Sequence, residues 1–304
     1  MQSLMTIIDD ICRLRKERNA VILAHNYTPG DVQDVADFTG DSLELARRAT
    51  EVNADVIVFC GVYFMAETAK ILNPSKTVLI PDPTAGCPMA DMITAEELRK
   101  FKADHPGAKA VCYVNSTAEV KAECDMCVTS GNAERVMRSF QANEKILFVP
   151  DRHLGGHIAS LLGRKYELWQ GCCPIHAKLT ASDIAAARAA HPEAVVMVHP
   201  ECSEEVRNAA DKALSTGGMC AFAKESDAQE FIVGTECGIL HRLEKENPTK
   251  RFYCAGSNIV CQDMKKITLE KLRDCLAGMK EEVVVPVDIA VKAKRAIDAM
   301  LALS

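Results

Sequence analysis

Three cysteines, Cys87, Cys173 and Cys261, recur at intervals of 86 and 88 residues, each just after a short apolar run. No other cysteine triple keeps step with those runs. Three thiolates brought together suit an iron–sulfur cluster, although most clusters take four. With three, one iron has no protein ligand and is free to act as a Lewis acid. Zinc on three thiolates is the rival, and spacing does not choose between them. The chain has 14 cysteines in all, but only one CxxC, Cys124 to Cys127, and one adjacent pair, Cys172 and Cys173. Cys124, Cys127 and Cys172 are read as non-ligands, because free cysteine usually packs as a small hydrophobe. Gly171-x-Cys173-x-x-His176 and the repeat interval favour Cys173 over its neighbour. Gly86 and Pro88 would hold Cys87 in a fixed loop.

A second group of residues can move protons. His25, Tyr27, Tyr113, Asn115, His199 and Glu201 stand at the ends of three similar apolar segments: 20–27 (AVILAHNY), 110–116 (AVCYVNS) and 194–201 (AVVMVHPE). Histidine and glutamate transfer protons near neutral pH, and tyrosine donates to a developing oxyanion. A single histidine at such a place is ordinarily structural; matched groups in three repeats point to a site. His176, three residues past Cys173, belongs near the thiols. His153 and His157 are equally well read as surface. Met65 and Met264 are candidates to line the cavity, with core packing the ordinary role of Met65. Ser42, Ser130, Ser215 and Thr216 stand in small-residue turns before helical patterns. There they serve as ordinary N-caps, or as donors at helix N-termini that bind anions.

The elements that must position these groups follow from an internal repeat. Each first segment is followed by a turn (40–42, 129–131, 215–217), then a second apolar strand (55–61, 145–151, 230–236) and a third (77–82, 166–171, 251–256) that runs into one of the three cysteines. Strands alternating with helical stretches predict parallel sheets covered by helices, with right-handed crossovers. The expected fold is α/β: three similar α/β/α units about a pseudo-threefold axis, near residues 1–89, 90–176 and 177–264. Ligands in such sheets sit beyond the carboxyl ends of the strands. The active site is therefore expected at the centre. The tail, 265–304, reads as two helices joined near 283–288 that pack back on the first unit.

Composition narrows the field. Of 304 residues, 36 are Lys or Arg and 42 are Asp or Glu, a net charge of −6, which argues against a nucleic-acid protein. Apolar residues at 48% mark an ordinary globular chain. No apolar run nears the ~20 residues of a membrane span. The start lacks a compact apolar segment with a cleavage site, so a cytoplasmic protein is expected, and a disulfide scaffold is not.

The motifs at 24–27 (AHNY), 40–46 (GDSLELA), 60–70 (CGVYFMAETAK), 81–91 (PDPTAGCPMAD), 113–116 (YVNS), 128–133 (VTSGNA) and 261–272 (CQDMKKITLEKL) are in order over nearly the whole chain. They resemble the quinolinate synthases of NAD biosynthesis. The resemblance implies condensation of iminoaspartate with dihydroxyacetone phosphate to quinolinate, phosphate and water. It also implies a [4Fe–4S] cluster on Cys87, Cys173 and Cys261, and a functional link to the enzyme that supplies iminoaspartate. The site set it carries over is His25, Tyr27, Ser42, Tyr113, Asn115, Ser130, His176, His199, Glu201, Ser215, Thr216 and Met264. Within that set Glu201 and Tyr27 are the expected acid–base pair. His25 and His199 would position groups or relay protons, and Tyr113 and Asn115 would hold substrate oxygens. Where some members carry CxxCxxC, this chain has Cys261 followed by Met264. Another iron–sulfur dehydratase and a non-enzymatic redox sensor are the alternatives.

Overall fold

The computed structural model describes residues 4–303. It contains three four-stranded parallel sheets. The first is built from β1 (Ala20–His25), β2 (Phe38–Gly40), β3 (Val56–Cys60) and β4 (Thr77–Leu79). The second has β5 (Lys109–Tyr113), β6 (Met126–Val128), β7 (Ile146–Val149) and β8 (Glu167–Leu168). The third has β9 (Val195–Val198), β10 (Lys212–Ala213), β11 (Glu230–Gly234) and β12 (Arg251–Cys254). All three share one order, the second strand outside the first, then the third and fourth. The central runs, such as VIVFC in β3, are buried throughout, as strands covered by helices on both faces must be.

The turn regions hold more than the sequence suggests. In each unit a short edge strand, β2, β6 or β10, precedes or enters the turn. One aspartate in each unit starts that strand. Asp37, Asp125 and Asp211 accept the backbone N–H of Ile22, Ala110 and Val196 at 2.9, 2.8 and 2.7 Å. Their own N–H groups return a bond to the same three residues. The fourth strand of the second unit, β8, is shorter than the 166–171 run, two residues only, with a further bridge from Asp151 to Gly171.

Helices Ala95–Asp104 and Ala181–Ala190 open the second and third units in the same way. Thr94 and Thr180 cap them, with Glu97 and Asp183 completing the capping boxes. The tail divides. Helix Leu269–Gly278 packs on helix Leu4–Glu17 and β3, burying Leu272, Cys275 and Leu276 with Ile7, Ile11 and Leu14. Helix Val287–Ala302 instead lies on helix Ala118–Ala122 and β6 of the second unit, as well as on helix Tyr63–Leu72 of the first. Its Ala293 and Ala296 permit the close approach, and the cores of the two units merge beneath it. Cys237 and Cys254, beyond β11 and at the end of β12, are joined as a disulfide, where the sequence reading expects free thiols.

Candidate active site

The first strands of all three sheets end at one cavity of about 500 Å³. Cys87, Cys173 and Cys261 line it, and their local settings repeat. Each thiol faces the backbone N–H groups two and three residues ahead, which favour its thiolate: Met89 and Ala90, Ile175 and His176, Asp263 and Met264. Each cysteine carbonyl accepts the N–H four residues ahead, at 3.2, 3.0 and 3.3 Å, opening a short helical turn. Every cysteine thus opens a helical turn, where partial positive charge favours a thiolate. Burial works the other way. It pushes Cys87 up to about 12 and raises Cys173 and Cys261 as free thiols. Three half-buried thiols with N–H donors turned toward them suit a bound metal, which removes the thiol proton.

Opposite the thiols runs a chain of hydrogen bonds. Tyr27 Oη is 2.5 Å from Thr235 Oγ1, which is 2.7 Å from His176 Nε2. His176 Nδ1 lies 2.9 Å from Glu201 Oε2, and Tyr113 donates to Glu201 Oε1 at 2.5 Å. One set of proton placements satisfies every link: Tyr27 to Thr235, Thr235 to His176, His176 to Glu201, with Tyr113 donating from the far side. Burial works to raise the Glu201 carboxyl, but His176 and the Tyr113 hydroxyl, both bonded to it, overcome burial and hold the group below the ordinary carboxylate range. Burial, reinforced by Glu201, lifts both tyrosines well above 10. At neutral pH this hydrogen-bonded chain therefore holds one carboxylate base and two neutral phenol donors.

His25 and His199 are held alike. The backbone N–H two residues on, Tyr27 or Glu201, donates to Nδ1 at 3.2 or 3.3 Å. That fixes both rings in the tautomer with the proton on Nε2. Burial lowers both to about 3, so each is a neutral donor. His199 Nε2 meets Ser130 Oγ at 3.2 Å, and Ser130 also bonds Tyr113.

Most of the other expected residues reach the cavity. Ser42, Asn115, Ser130, Thr216 and Met264 line it, together with Met65 and an apolar wall of Val62 and Phe64. Ser215 is buried beneath, capping helix Thr216–Glu225. Ser42 is not a cap: Asp41 caps helix Ser42–Glu51, with Glu44 completing a capping box. Ser130 is not a cap either, since helix Ala133–Met137 begins after Asn132. Asn115 Oδ1 is buried with no partner among the described residues, an acceptor awaiting a donor.

Sequence reasoning missed Thr235, Glu236, Asp41 and Lys178. Lys178 is exposed and is the lone Lys or Arg among the described lining residues. Thr235 and Glu236 stand at the end of a strand segment already placed by the repeat, so the strand-end rule applied to all three strands of a unit finds them. His153 and His157 lie on helix Arg152–Leu162, outside the lining.

The family model described as "Quinolinate synthetase A protein" matches residues 9–302. The quinolinate synthase of Dehalococcoides mccartyi (strain CBDB1) is 54% identical over 291 residues, covering 96% of each chain. Those of Methanoregula boonei (52%, covering 97% of each) and Geobacter metallireducens (51%, covering 98% of each) are similar. With agreement from end to end, and with strand-end groups of all three sheets facing one cavity, the chain belongs to the quinolinate synthase family of enzymes.

Proposed function

We propose that the chain condenses iminoaspartate with dihydroxyacetone phosphate, releasing phosphate and water to form quinolinate for NAD synthesis. The reaction would take place in the cytoplasm, where another enzyme supplies the unstable imine. The observation that carries this reading is the threefold thiol setting opposite the Glu201 chain, in one cavity of about 500 Å³. Cys87, Cys173 and Cys261 would hold a [4Fe–4S] cluster, which when bound supplies a Lewis-acidic iron with an open position.

The chain's own residues do the rest. Both substrates are anionic. Neutral Nε2–H groups of His25 and His199, the Ser130 hydroxyl, and the N-terminus of helix Thr216–Glu225 are donors that bind anions without a buried cation. Lys178 at the rim attracts them. The Asn115 acceptor suits an imine N–H or a hydroxyl. Ring formation needs protons removed from carbon and returned to leaving oxygens. Glu201 is the ionised acceptor, and Tyr113 and Tyr27 are the donors. The Thr235–His176 link lets a proton taken at one end be returned at the other.

Ligand atoms of Cys173, His176 and Glu201 all lie within 4.8 Å of one another, which favours a single zinc-like ion as the second reading. The cluster is preferred because His176 and Glu201 already bond each other, and a single ion leaves Cys87 and Cys261 unused. Anaerobic purification followed by iron, sulfide and zinc analysis separates the two. The loaded protein, given both substrates, should release phosphate and quinolinate in equal amounts. No quinolinate from iron-loaded protein would overturn the reading.

A further inference from the structure

We infer that Glu236 and Lys265 are positioning residues for Cys261: the pair, its carboxylate buried, fixes the loop that carries this thiol and ties it to the backbone of Tyr27. The inference rests on the reading of Cys261 as a ligand. Glu236 stands just past β11, where the first unit has Val62 and the second Asp151. Asp151 caps its own helix, accepting the N–H groups of His153 and Leu154. Glu236, one methylene longer, reaches another segment. Its Oε1 accepts the N–H of Cys261 at 3.1 Å and pairs with Lys265 Nζ at 2.9 Å, and its Oε2 accepts the N–H of Gly238 at 2.7 Å. The Glu236 side chain is 1% exposed.

Lys265 completes the link. Its Nζ also donates to the Tyr27 carbonyl at 2.5 Å. Gly238 is required beneath: a Cβ there would lie 2.7 Å from both Glu236 Oε2 and Lys265 Nζ, and 2.9 Å from the Tyr27 carbonyl oxygen. A buried carboxylate is tolerated only when paired and hydrogen-bonded. Once paired, it is stiff. Glu236 therefore holds Cys261 in register with the other two thiols before any metal arrives, and connects that register to the first unit.

The test uses iron-free protein, pulse-labelled with iodoacetamide and mapped by mass spectrometry at Cys87, Cys173 and Cys261. Glu236→Ala and Lys265→Met should each speed labelling of Cys261 roughly tenfold, the scale of one charge-assisted hydrogen bond lost to local opening. Cys87 and Cys173 should keep their parental rates. A purely electrostatic influence predicts opposite signs, because removing an anion favours the thiolate and removing a cation disfavours it. Opposite signs, or parental rates in both variants, overturn the inference. If either variant fails to fold, all three thiols accelerate together. Glu236→Gln, which has the same shape but lacks the charge that pairs with Lys265, then decides: selective acceleration upholds the inference and the parental rate overturns it. A second arm loads the parent anaerobically with iron and sulfide and times iron release to a chelator, which should be faster in the variants. A parent that takes up no iron, with Cys261 still selectively freed, sinks the cluster and leaves the positioning role standing.

Discussion

Lowering the pH from 7.5 to 5.5 should destabilise the iron-free protein through His25 and His199, and the size of the loss follows from their burial. Both rings are held, chiefly by burial, at about 3 in the folded chain, against an ordinary value of 6.5. The sign is that of a base whose folded pKa is depressed. Above 6.5 neither state is protonated and the full stability is present. Below 6.5 the unfolded chain takes up protons that the folded chain refuses, so stability falls until the folded value is reached. At pH 5.5 the folded rings are still more than two units above their own value, so the loss depends on the unfolded value alone. It amounts to about 1.4 kcal/mol per histidine, or about 2.7 for the pair. Asp151, which burial pushes up to about 7, acts in the opposite sense, and His157, which burial lowers to about 4, adds to the loss. A comparison with His25→Asn/His199→Asn cancels both. The assay is urea unfolding followed by circular dichroism at the two pH values, in parent and double variant. The parent should lose about 2.7 kcal/mol more than the variant over this interval. Equal pH dependence would refute the argument, as would resonances of His25 or His199, assigned by their loss in the variant, that titrate near 6.5. Either result would make the rings cationic anion-binders instead of neutral donors.

Glu201→Gln and Tyr27→Phe should each keep bound iron yet lower kcat by roughly two to four orders of magnitude, the scale of general acid–base groups; near-parental turnover in both would move those roles elsewhere. Thr235→Val, which breaks the link between Tyr27 and His176, should lower kcat about tenfold or more while KM holds, measured by quinolinate absorbance. Ser130→Ala should raise KM more than it lowers kcat, because it removes a donor and the partner of His199 while leaving Glu201 in place. Cys87→Ala, Cys173→Ala and Cys261→Ala should each abolish stable iron binding, whereas Cys124→Ala, Cys127→Ala and Cys172→Ala should retain it, by iron and sulfide analysis.

Much of the frame is legible because it is written in continuous apolar runs. Buried parallel strands such as β1, β3, β7 and β11 leave little room for polar residues, so AVILAH and VIVFC announce themselves. The short edge strands do not. β10 has two residues, and β2 and β6 have three, too few for any period to show. Their position depends on Asp37, Asp125 and Asp211, whose bonds to the first strand span about 15 residues and have no local signature. The sequence leaves Ser42 open between a cap and an anion donor for a local reason: Asp41 and Ser42 are both good caps, and Glu44 selects Asp41 by standing three residues after it. Helix Val287–Ala302 carries an apolar stripe whose partner no local pattern identifies, and the packing of Ala293 and Ala296 against the second unit is settled only in three dimensions.

The candidate site divides along the same line. Repetition accounts for what the three units share: the thiol at the start of a helical turn, with N–H donors two and three residues ahead, occurs three times because the surrounding backbone does. The chemistry resides where equivalent positions differ. The first strands end in His25 and Tyr27, in Tyr113 and Asn115, and in His199 and Glu201, so only one of the three supplies a carboxylate. Past the third strands stand Val62, Asp151 and Glu236, of which only Glu236 reaches a thiol loop. A symmetric frame brings three like ligands to one place, but proton transfer needs an acceptor and donors that are unlike. Symmetrising the site, by giving the first unit's Tyr27 position a glutamate, would set a second carboxylate beside Glu201 and raise the affinity of one of them for a proton. The Tyr27 phenol avoids that conflict, and burial beside Glu201 keeps it protonated.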